Sequence, residues 1–249
     1  MEIKTPVSRW KQVAEYLKEQ IQNGTFPAGQ LLPSEQQLAE EFGLSRPTIR
    51  NAINELKAAG LVEVQRPRGT IVRSPLSRPA HIERRGLTRM SDRSYTETGE
   101  LDWHDVDSPT FARVNATVDQ AHLLGIPAGE PMLTRTTVQS AEQITRLHRT
   151  SVPFSVAAET PLADDAQLPA SDEVYALFDG RGRLSWEEFV RARMPLPDEA
   201  QTLRAASGVP VLHITRMASV DKHPVAMEEI VVRGDALEVV YGMPVTKTR

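Results

Sequence analysis

Arg46, Arg50, Asn51, Asn54 and Lys57 recur at helical spacing between Ser45 and Lys57, and what they offer is recognition rather than catalysis. Guanidinium and amide groups gathered on one helix face can donate to phosphate oxygens and to base edges in a major groove. Ile49, Ala52, Ile53 and Leu56 fall on the other face, so the segment predicts an amphipathic helix with a buried stripe. Ser45 is a good N-cap, and Pro47 sits in the first turn, where its missing N–H costs nothing. That turn also carries Arg46 and Thr48, in the part of a recognition helix that enters the groove. An ordinary solvated helix would show the same polar face; the flanking segments decide between the two.

Upstream, Trp10, Val13, Ala14, Leu17 and Ile21 predict a first amphipathic helix ending before Gly24. After the turn-rich Phe26 to Gln30, Ser34-Glu35-Gln36-Gln37 forms a capping box, with Leu38, Ala39 and Phe42 as the apolar side of a second helix that stops at Gly43. Downstream of Gly60 the period changes. Leu61 to Val64 and Thr70 to Val72 are short β-rich runs around Gln65-Arg66-Pro67-Arg68-Gly69, which predicts a basic hairpin. Three helices and a hairpin in this order make a winged helix-turn-helix.

Charge supports a nucleic-acid partner once it is divided along the chain. The net charge is -4, but residues 1–75 hold 10 Lys+Arg against 8 Asp+Glu, and the remainder holds 19 against 25. Between Ser45 and Arg73 six basic residues face two acidic ones, the local excess that a DNA-reading surface requires. The 249 residues suffice for two domains, and 40% apolar with 25% charged residues is a globular composition. Zero cysteines exclude disulfides and thiol chemistry. No apolar run reaches membrane-spanning length, and Met1-Glu2-Ile3-Lys4 leads into polar sequence, so a cytoplasmic protein with no membrane partner is expected.

Gln30-Leu31-Leu32-Pro33-Ser34-Glu35, Leu44-Ser45-Arg46-Pro47-Thr48-Ile49-Arg50 and Gly60-Leu61-Val62 together resemble the N-terminal domain of GntR-type bacterial transcription factors, over about residues 7–73. The resemblance implies operator contacts from Arg46, Thr48 and Arg50, with the wing tip reaching the minor groove. The expected DNA-contacting set is Ser34, Gln36, Ser45, Arg46, Thr48, Arg50, Asn51, Arg66, Arg68 and Gly69. One departure stands out: many relatives carry glycine where Pro67 is found. Proline has no N–H to give, so Arg66 and Arg68 take over the wing contact with their side chains, in a narrow and electronegative groove.

Residues 1–75 are thus expected to form the DNA-binding domain and 76–94 a linker, with Arg84, Arg85, Arg89 and Arg93 on a solvated approach to a second domain at 95–249. That second portion contains a weak repeat. Asp119-Gln120-Ala121-His122-Leu123-Leu124 precedes Gly129-Glu130-Pro131-Met132-Leu133, and Asp198 to Leu203 precedes Gly208-Val209-Pro210-Val211-Leu212, at a constant offset of 79. Each copy predicts a short helix, a turn and a strand, at 132–138 and 211–220. Further strands are expected at 151–156, 226–232 and 237–241, a helix at 172–178 and a turn at 178–183. The fold class is α+β with a mainly antiparallel sheet, and two related halves leave a crevice suited to a small ligand.

Both Gly-x-Pro strands, Arg216 and the ending Val231-Val232-Arg233-Gly234-Asp235 with Tyr241 resemble the UTRA domain of the HutC subfamily, whose fold is shared with chorismate lyase. The resemblance implies a small-molecule effector, anionic in the manner of a sugar phosphate or carboxylate. Arg135, Arg146 and Arg216 can take such a group in bidentate fashion, Glu228 or Glu229 can accept from ligand hydroxyls, and Tyr241 can close one side.

Asp102-Trp103-His104-Asp105-Val106-Asp107 gathers potential metal ligands but lacks a second histidine at helical spacing, so neither metal nor cofactor is expected. Nucleophile-elbow, phosphate-loop and dinucleotide motifs are absent. The expected activity is that of a ligand-responsive repressor, acting as a homodimer on a palindromic operator. Two alternatives stay open: a DNA-tethered, lyase-like enzyme, and a regulator whose second domain only dimerises.

Overall fold

The computed structural model describes residues 8–65, 67–73, 81–163 and 167–242. These fall into two units, the first comprising the described residues up to 73 together with 206–209, the second the remaining described residues from 81 onward.

The first unit is built from α1 (Arg9–Gln22), α2 (Glu35–Phe42), α3 (Arg46–Ala58), β1 (Val62–Gln65) and β2 (Gly69–Val72). The expected apolar stripes meet in one core: Leu17, Leu38, Ile49, Ala52, Ile53 and Leu56 are all buried, with Trp10, Phe26 and Phe42 packed at its margin. Ser34 and Gln37 form the capping box of α2, and Gly43 ends that helix with φ 61, a left-handed conformation that glycine adopts without strain. Two residues beyond that glycine, Ser45 serves as N-cap of α3. β1 and β2 pair antiparallel from Val62↔Val72 to Gln65↔Gly69. Residues 29–32 add a third, irregular rung, with Leu32 N donating to Thr70 O at 2.7 Å and Gly29 N to Val72 O at 2.8 Å.

In chain order the second unit contains β3 (His81–Arg84), β4 (Leu87–Arg89), β5 (Tyr95–Glu97), β6 (His104–Asp105), β7 (Thr110–Asn115), α4 (Val118–Leu124), β8 (Pro131–Ala141) and β9 (Ile144–Pro153). There follow α5 (Phe154–Ala157), α6 (Ser171–Phe178), β10 (Leu184–Arg193), α7 (Pro197–Thr202), β11 (Val211–Val220), β12 (His223–Arg233) and β13 (Leu237–Val240). The main sheet runs β10-β11-β12-β9-β8, and β6 and β7 both pair with β8. All its pairings are antiparallel.

The repeat seen in the sequence is a repeat of structure. Phe111 pairs with Arg135 and Val190 with Ile214, while the hairpin tips close at Ala141↔Ile144 and Val220↔His223, each pair displaced by 79. A register shift at Ala218/Ser219 then offsets β12 by one residue, as a β-bulge does. Arg149 opposite Glu229 marks the centre at which the two halves meet. One sheet face carries α4 and α7 over Met132, Met217, Met227, Leu203 and Val211. The other buries Val152, Val174, Tyr175, Phe178 and Ala226 beneath α6.

Three expectations need correction. Residues 151–156 are not one strand: β9 ends at Pro153, which has no N–H for a further rung, and α5 starts at Phe154. Residues 76–94 are not all linker, because β3 pairs in parallel with β13 and β4 pairs with β5. Nor is Arg85 solvated; it is buried, and Arg89 is held by Asp179 at 2.6 Å. The helix at 171–178 and the strands at 211–220 and 237–240 stand where the periodicity put them.

Ile49 has no exposed surface and lies in the core of the first unit. Ile49→Ala should therefore destabilise that unit by about 2–5 kcal/mol. Denaturant unfolding followed by far-UV circular dichroism checks this, and a loss well below that range would mean the helix core is not packed as described.

Candidate nucleic-acid interface and effector cleft

At the start of α3, Ser45 accepts from the backbone N–H of Thr48 and its hydroxyl lies 2.8 Å from that of Thr48. Their first task is to fix the helix start; Arg46, Arg50, Asn51 and Asn54 are left exposed along the same helix. Arg50 is held by a residue that the sequence reading missed. Its Nε lies 3.1 and 3.2 Å from the two carboxylate oxygens of Glu35, and its Nη2 lies 2.7 Å from Oε2. The fork-like pair raises the Arg50 pKa, first through the hydrogen bond and then through charge. Because Glu35 opens α2, the two helices of the motif share an ion pair at the surface where DNA is expected.

Ser34 is committed to the α2 capping box, and Gln36 reaches Glu40 at 3.2 Å. On the hairpin, Pro67, Arg68 and Gly69 are exposed. Gly69 has φ +120, which disfavours any side chain there. Arg66, the other expected wing residue, lies outside the described residues.

All five candidate effector residues of the second unit belong to one chain of polar contacts on the α6 side of the sheet. Arg135 donates to Asp105 at 2.8 Å, Asp105 accepts from Gln139 at 3.0 Å, and Gln139 accepts from Arg146 at 2.8 Å. Arg146 continues to Glu97 at 3.1 Å, and Glu97 meets Arg216 at 3.1 Å. Arg216 also binds Glu228 at 3.0 Å and Glu188 at 2.7 Å, and Glu188 accepts from the Tyr241 hydroxyl at 2.8 Å. Arg85, arriving from the segment after β3, donates to both Glu97 and Glu188.

The electrostatics follow from crowding opposite charges out of water. Burial pushes the Glu97 carboxyl up, but Arg146, Arg85 and Arg216 outweigh it and hold the group at about 2. Glu228 behaves alike: burial is overcome by Arg216 and then by His148, and its pKa falls well below the carboxylate range. Burial and the bond to Glu188 push Tyr241 up to about 12. Glu97 and Glu228 are thereby held ionised, and the Tyr241 hydroxyl neutral, at neutral pH.

A cleft of about 640 Å³ opens onto part of this network, lined by Arg135, Gln139, Arg146, His148, Glu97 and Asp105, with further residues of 95–103 and 170–172. The expectation that Arg216 and Glu228 face a ligand needs revision, since both are buried, do not line the cleft, and bind each other. Tyr241 closes on Glu188 instead of on the cleft. Arg146 does reach the cleft; it is only 4% exposed and stacks its guanidinium 4.1 Å from the Trp103 ring centre. Among the described residues the two ring nitrogens of buried His148 have no hydrogen-bond partner, Nε2 standing 3.7 Å from Glu228 Oε1. Arg85, Glu97, Glu188 and Trp103 went unrecognised because nothing local marks them; their partners lie up to 119 residues away. Asp105, read as a possible metal ligand, is engaged by Arg135 and Gln139, and no group of three or more metal-ligating side chains occurs among the described residues.

A winged helix-turn-helix followed by a sheet of two related halves defines a class of regulator, and comparison with known proteins agrees. Residues 10–72 match the bacterial regulatory proteins of the gntR family, and residues 110–238 match the UTRA domain. The chain belongs to the GntR family of transcriptional regulators, in its HutC-like branch with a UTRA domain. It is 31% identical to the HTH-type transcriptional repressor NagR of Bacillus subtilis, over 96% of each chain. It is also 26% identical to the histidine utilization repressor of Pseudomonas putida, over 91% of this chain and 88% of that one. A solved structure of a GntR-family transcriptional regulator superposes with a TM-score of 0.64 at 26% identity, covering 96% of this chain and 99% of the other. The chain is therefore a ligand-responsive, DNA-binding transcriptional regulator of a family that includes repressors. Among the described residues no helix is long and apolar enough to cross a membrane.

Glu97 gives this site a pH signature. Its folded pKa of about 2 lies below the unfolded value of about 4.3. Its contribution is thus fully present above the unfolded value and is lost as pH falls through about 2. Glu97→Gln should cost about 3–5 kcal/mol at neutral pH, because three arginines lose a shared carboxylate, and should flatten the acid limb of the stability curve. Urea titrations of both proteins between pH 7 and pH 2 test this; parallel acid limbs would remove Glu97 from the network's energetics.

Proposed function

We propose that the protein represses transcription as a homodimer on a palindromic operator, and that a small polar effector entering the cleft beside Arg135 and Arg146 changes its affinity for DNA. Twofold DNA is matched by a twofold protein. The first turn of α3, with Arg46 exposed and Ser45 and Thr48 fixing the helix start, supports insertion into a major groove. Arg50 and Asn51 lie further along the same surface, and Arg68 with Gly69 supplies a wing. Arg50 is expected to exchange part of its pairing with Glu35 for a phosphate, so that Glu35 aims the guanidinium before DNA arrives.

The observation that carries the effector reading is the placement of Arg146, buried yet lining a cleft with Arg135. Those two guanidiniums suit a carboxylate or phosphate group. Glu97, Asp105 and Asp172 line the same cleft and suit amino or hydroxyl donors on the remainder of the molecule. An anionic metabolite that also carries such donors fits both. The name of the Pseudomonas putida relative ties that protein to histidine utilization, and an amino-acid derivative has this mixture of groups. Arg216 and Glu228 act from behind the cleft by holding Glu97 and the sheet. The carboxylates of the cluster are locked in ion pairs and kept ionised, which leaves none poised as a general acid or base near neutrality. This supports a binding site over a lyase-like one.

Arg46→Ala should weaken specific operator binding by about 1–3 kcal/mol and relax base preference. A fluorescence-anisotropy titration with operator and scrambled duplexes reads both, and an unchanged affinity would remove Arg46 from the interface. A thermal-shift screen of phosphorylated and carboxylated metabolites should give a stabilising ligand, worth about 2.7 kcal/mol at a hundred times its Kd. That response should be lost in Arg135→Ala; a ligand that stabilises both proteins equally would place the effector elsewhere.

A further inference from the structure

The face of the main sheet beneath α6 carries a group of polar atoms that the protein itself does not satisfy. Both ring nitrogens of His148, the hydroxyls of Thr137, Thr150 and Tyr175, and Oε1 of Glu228 are buried and make no hydrogen bond among the described residues. Register sets four of these residues side by side: Thr137 lies opposite His148, and Thr150 lies opposite Glu228 on one side and Arg135 on the other. Tyr175 comes down on them from α6, where burial first and then the Glu228 charge push its hydroxyl well above its ordinary value. An unpaired polar atom kept from water costs stability, and native proteins hold only a few per hundred residues. Several in one patch mark a place that receives a polar guest.

Of this group, His148 is the member that reaches the cleft. It is 6% exposed and lines the cleft together with Arg146, two residues earlier on β9, and with Ser171 and Asp172 at the start of α6. Its Nε2 faces Glu228 Oε1 across 3.7 Å, and a carboxylate on that side favours the tautomer that carries its proton there. Nδ1 is then left as an acceptor. Arginine can only donate, so Arg135 and Arg146 serve an anion and nothing else. Glu97 and Asp105 also accept in this cleft, but each is already held by arginine. His148 is uncommitted, and it stands about 7 Å along the strand from Arg146, on the same face.

We infer that His148 determines the specificity of the effector site, accepting a hydrogen bond from a hydroxyl or amino group that the effector carries within about 7 Å of its anionic end. The inference rests on the proposed effector cleft and narrows its ligand to a short hydroxylated or aminated phosphate or carboxylate, as against a plain alkyl anion. Glu228 acts through the imidazole and touches no ligand. A site that must hydrogen-bond its ligand rejects the analogue lacking that group more strongly than an apolar pocket rejects a missing methylene, because its own buried atom is then left unpaired. Nitrogens left without partners in the free protein are the form such a site takes before its ligand arrives.

The test is isothermal titration calorimetry of the full chain with two series of probes, each built on a plain anion: propyl phosphate, glycerol phosphate and aminopropyl phosphate; then butyrate, γ-hydroxybutyrate and γ-aminobutyrate. In at least one series a donor-bearing member should bind wild type about tenfold or more tighter than the plain anion, and whether hydroxyl or amine gains more identifies the donor. His148→Leu should bring that ratio to near one, whereas Arg135→Ala should weaken every member and keep the ratio. Because His148 makes no hydrogen bond in the free protein, His148→Leu should hold its thermal midpoint within about 2 °C of wild type; a fall of several degrees would make the residue structural and overturn the inference. Equal binding of plain and donor-bearing probes by wild type, as a merely hydrated patch would give, or a ratio that survives His148→Leu, would overturn the role of His148 and leave the cleft standing. A ratio lost in His148→Leu, with affinities untouched by Arg135→Ala, would overturn the anion reading and keep His148. Failure of every probe to bind wild type at millimolar concentration would overturn both.

Discussion

The second unit depends on the ion cluster around Arg216. Its guanidinium is shared among Glu97, Glu188 and Glu228, all within 3.1 Å, inside a protein where it is 3% exposed. Burying one such charge without partners would cost several kcal/mol, a large share of a domain's stability, and even good pairs offset that cost only when the remaining donors are satisfied. Arg216 meets the condition by giving one nitrogen to each carboxylate. Arg85 comes near enough to repel it, and Glu97 is shared by Arg85, Arg146 and Arg216. The arrangement therefore has little tolerance: Glu97 and Glu188 each neutralise more than one cation, and removing either leaves a buried positive charge.

The same cluster explains why residues 81–97 fold with the second unit instead of trailing as a tether. Arg85 and Glu97 bring the two charges that complete the cluster, while β3 supplies the parallel partner of β13. Trp103 lays its ring against Arg146 and donates to Glu83 at 3.1 Å, closing the open side of the cleft. A sheet with arginine and glutamate on its inner face requires a polar cover, and this segment provides it.

Local rules carry far in this sequence and then stop. Capping residues, helical periodicity and the two Gly-x-Pro turns were legible because each signal spans a few neighbouring positions; α3 and the offset of 79 could be read directly. β10 was not, since Glu187-Glu188-Phe189-Val190-Arg191 does not alternate cleanly between apolar and polar. One of its faces meets buried Arg216 and the other is an edge surface, so neither reads as a core stripe. The candidate effector arginines were found by type but given one role too many. Whether an arginine faces a ligand or a glutamate is decided by residues 12 to 119 positions away on other strands, and no helix or strand spacing rule covers that range. Glu35 was hidden for the opposite reason: its place at the start of α2 already accounts for it, as an acidic residue beside the helix dipole.

The backbone repeat and the charge distribution obey different symmetries, and this bears on what the domain can bind. Displaced by 79 residues, Arg135 falls on Ile214 and Arg216 on Thr137. Thus the halves share strands, turns and register, yet each contributes its arginine at a position where the other is uncharged. A cleft with the symmetry of the backbone would present two equivalent ends. This one has Arg135 and Asp105 at one side and the Glu97 cluster at the other, so it distinguishes the ends of a small molecule. A ligand can shift a conformational equilibrium only by as much as it binds one arrangement better than another. An asymmetric, charge-balanced cleft provides that discrimination, because a ligand group placed on Arg146 competes with Glu97 for it. Since Glu97 also holds Arg85 and Arg216, a change at that one carboxylate bears on the segment next in sequence to the winged helix, which is where a response to the effector has to begin.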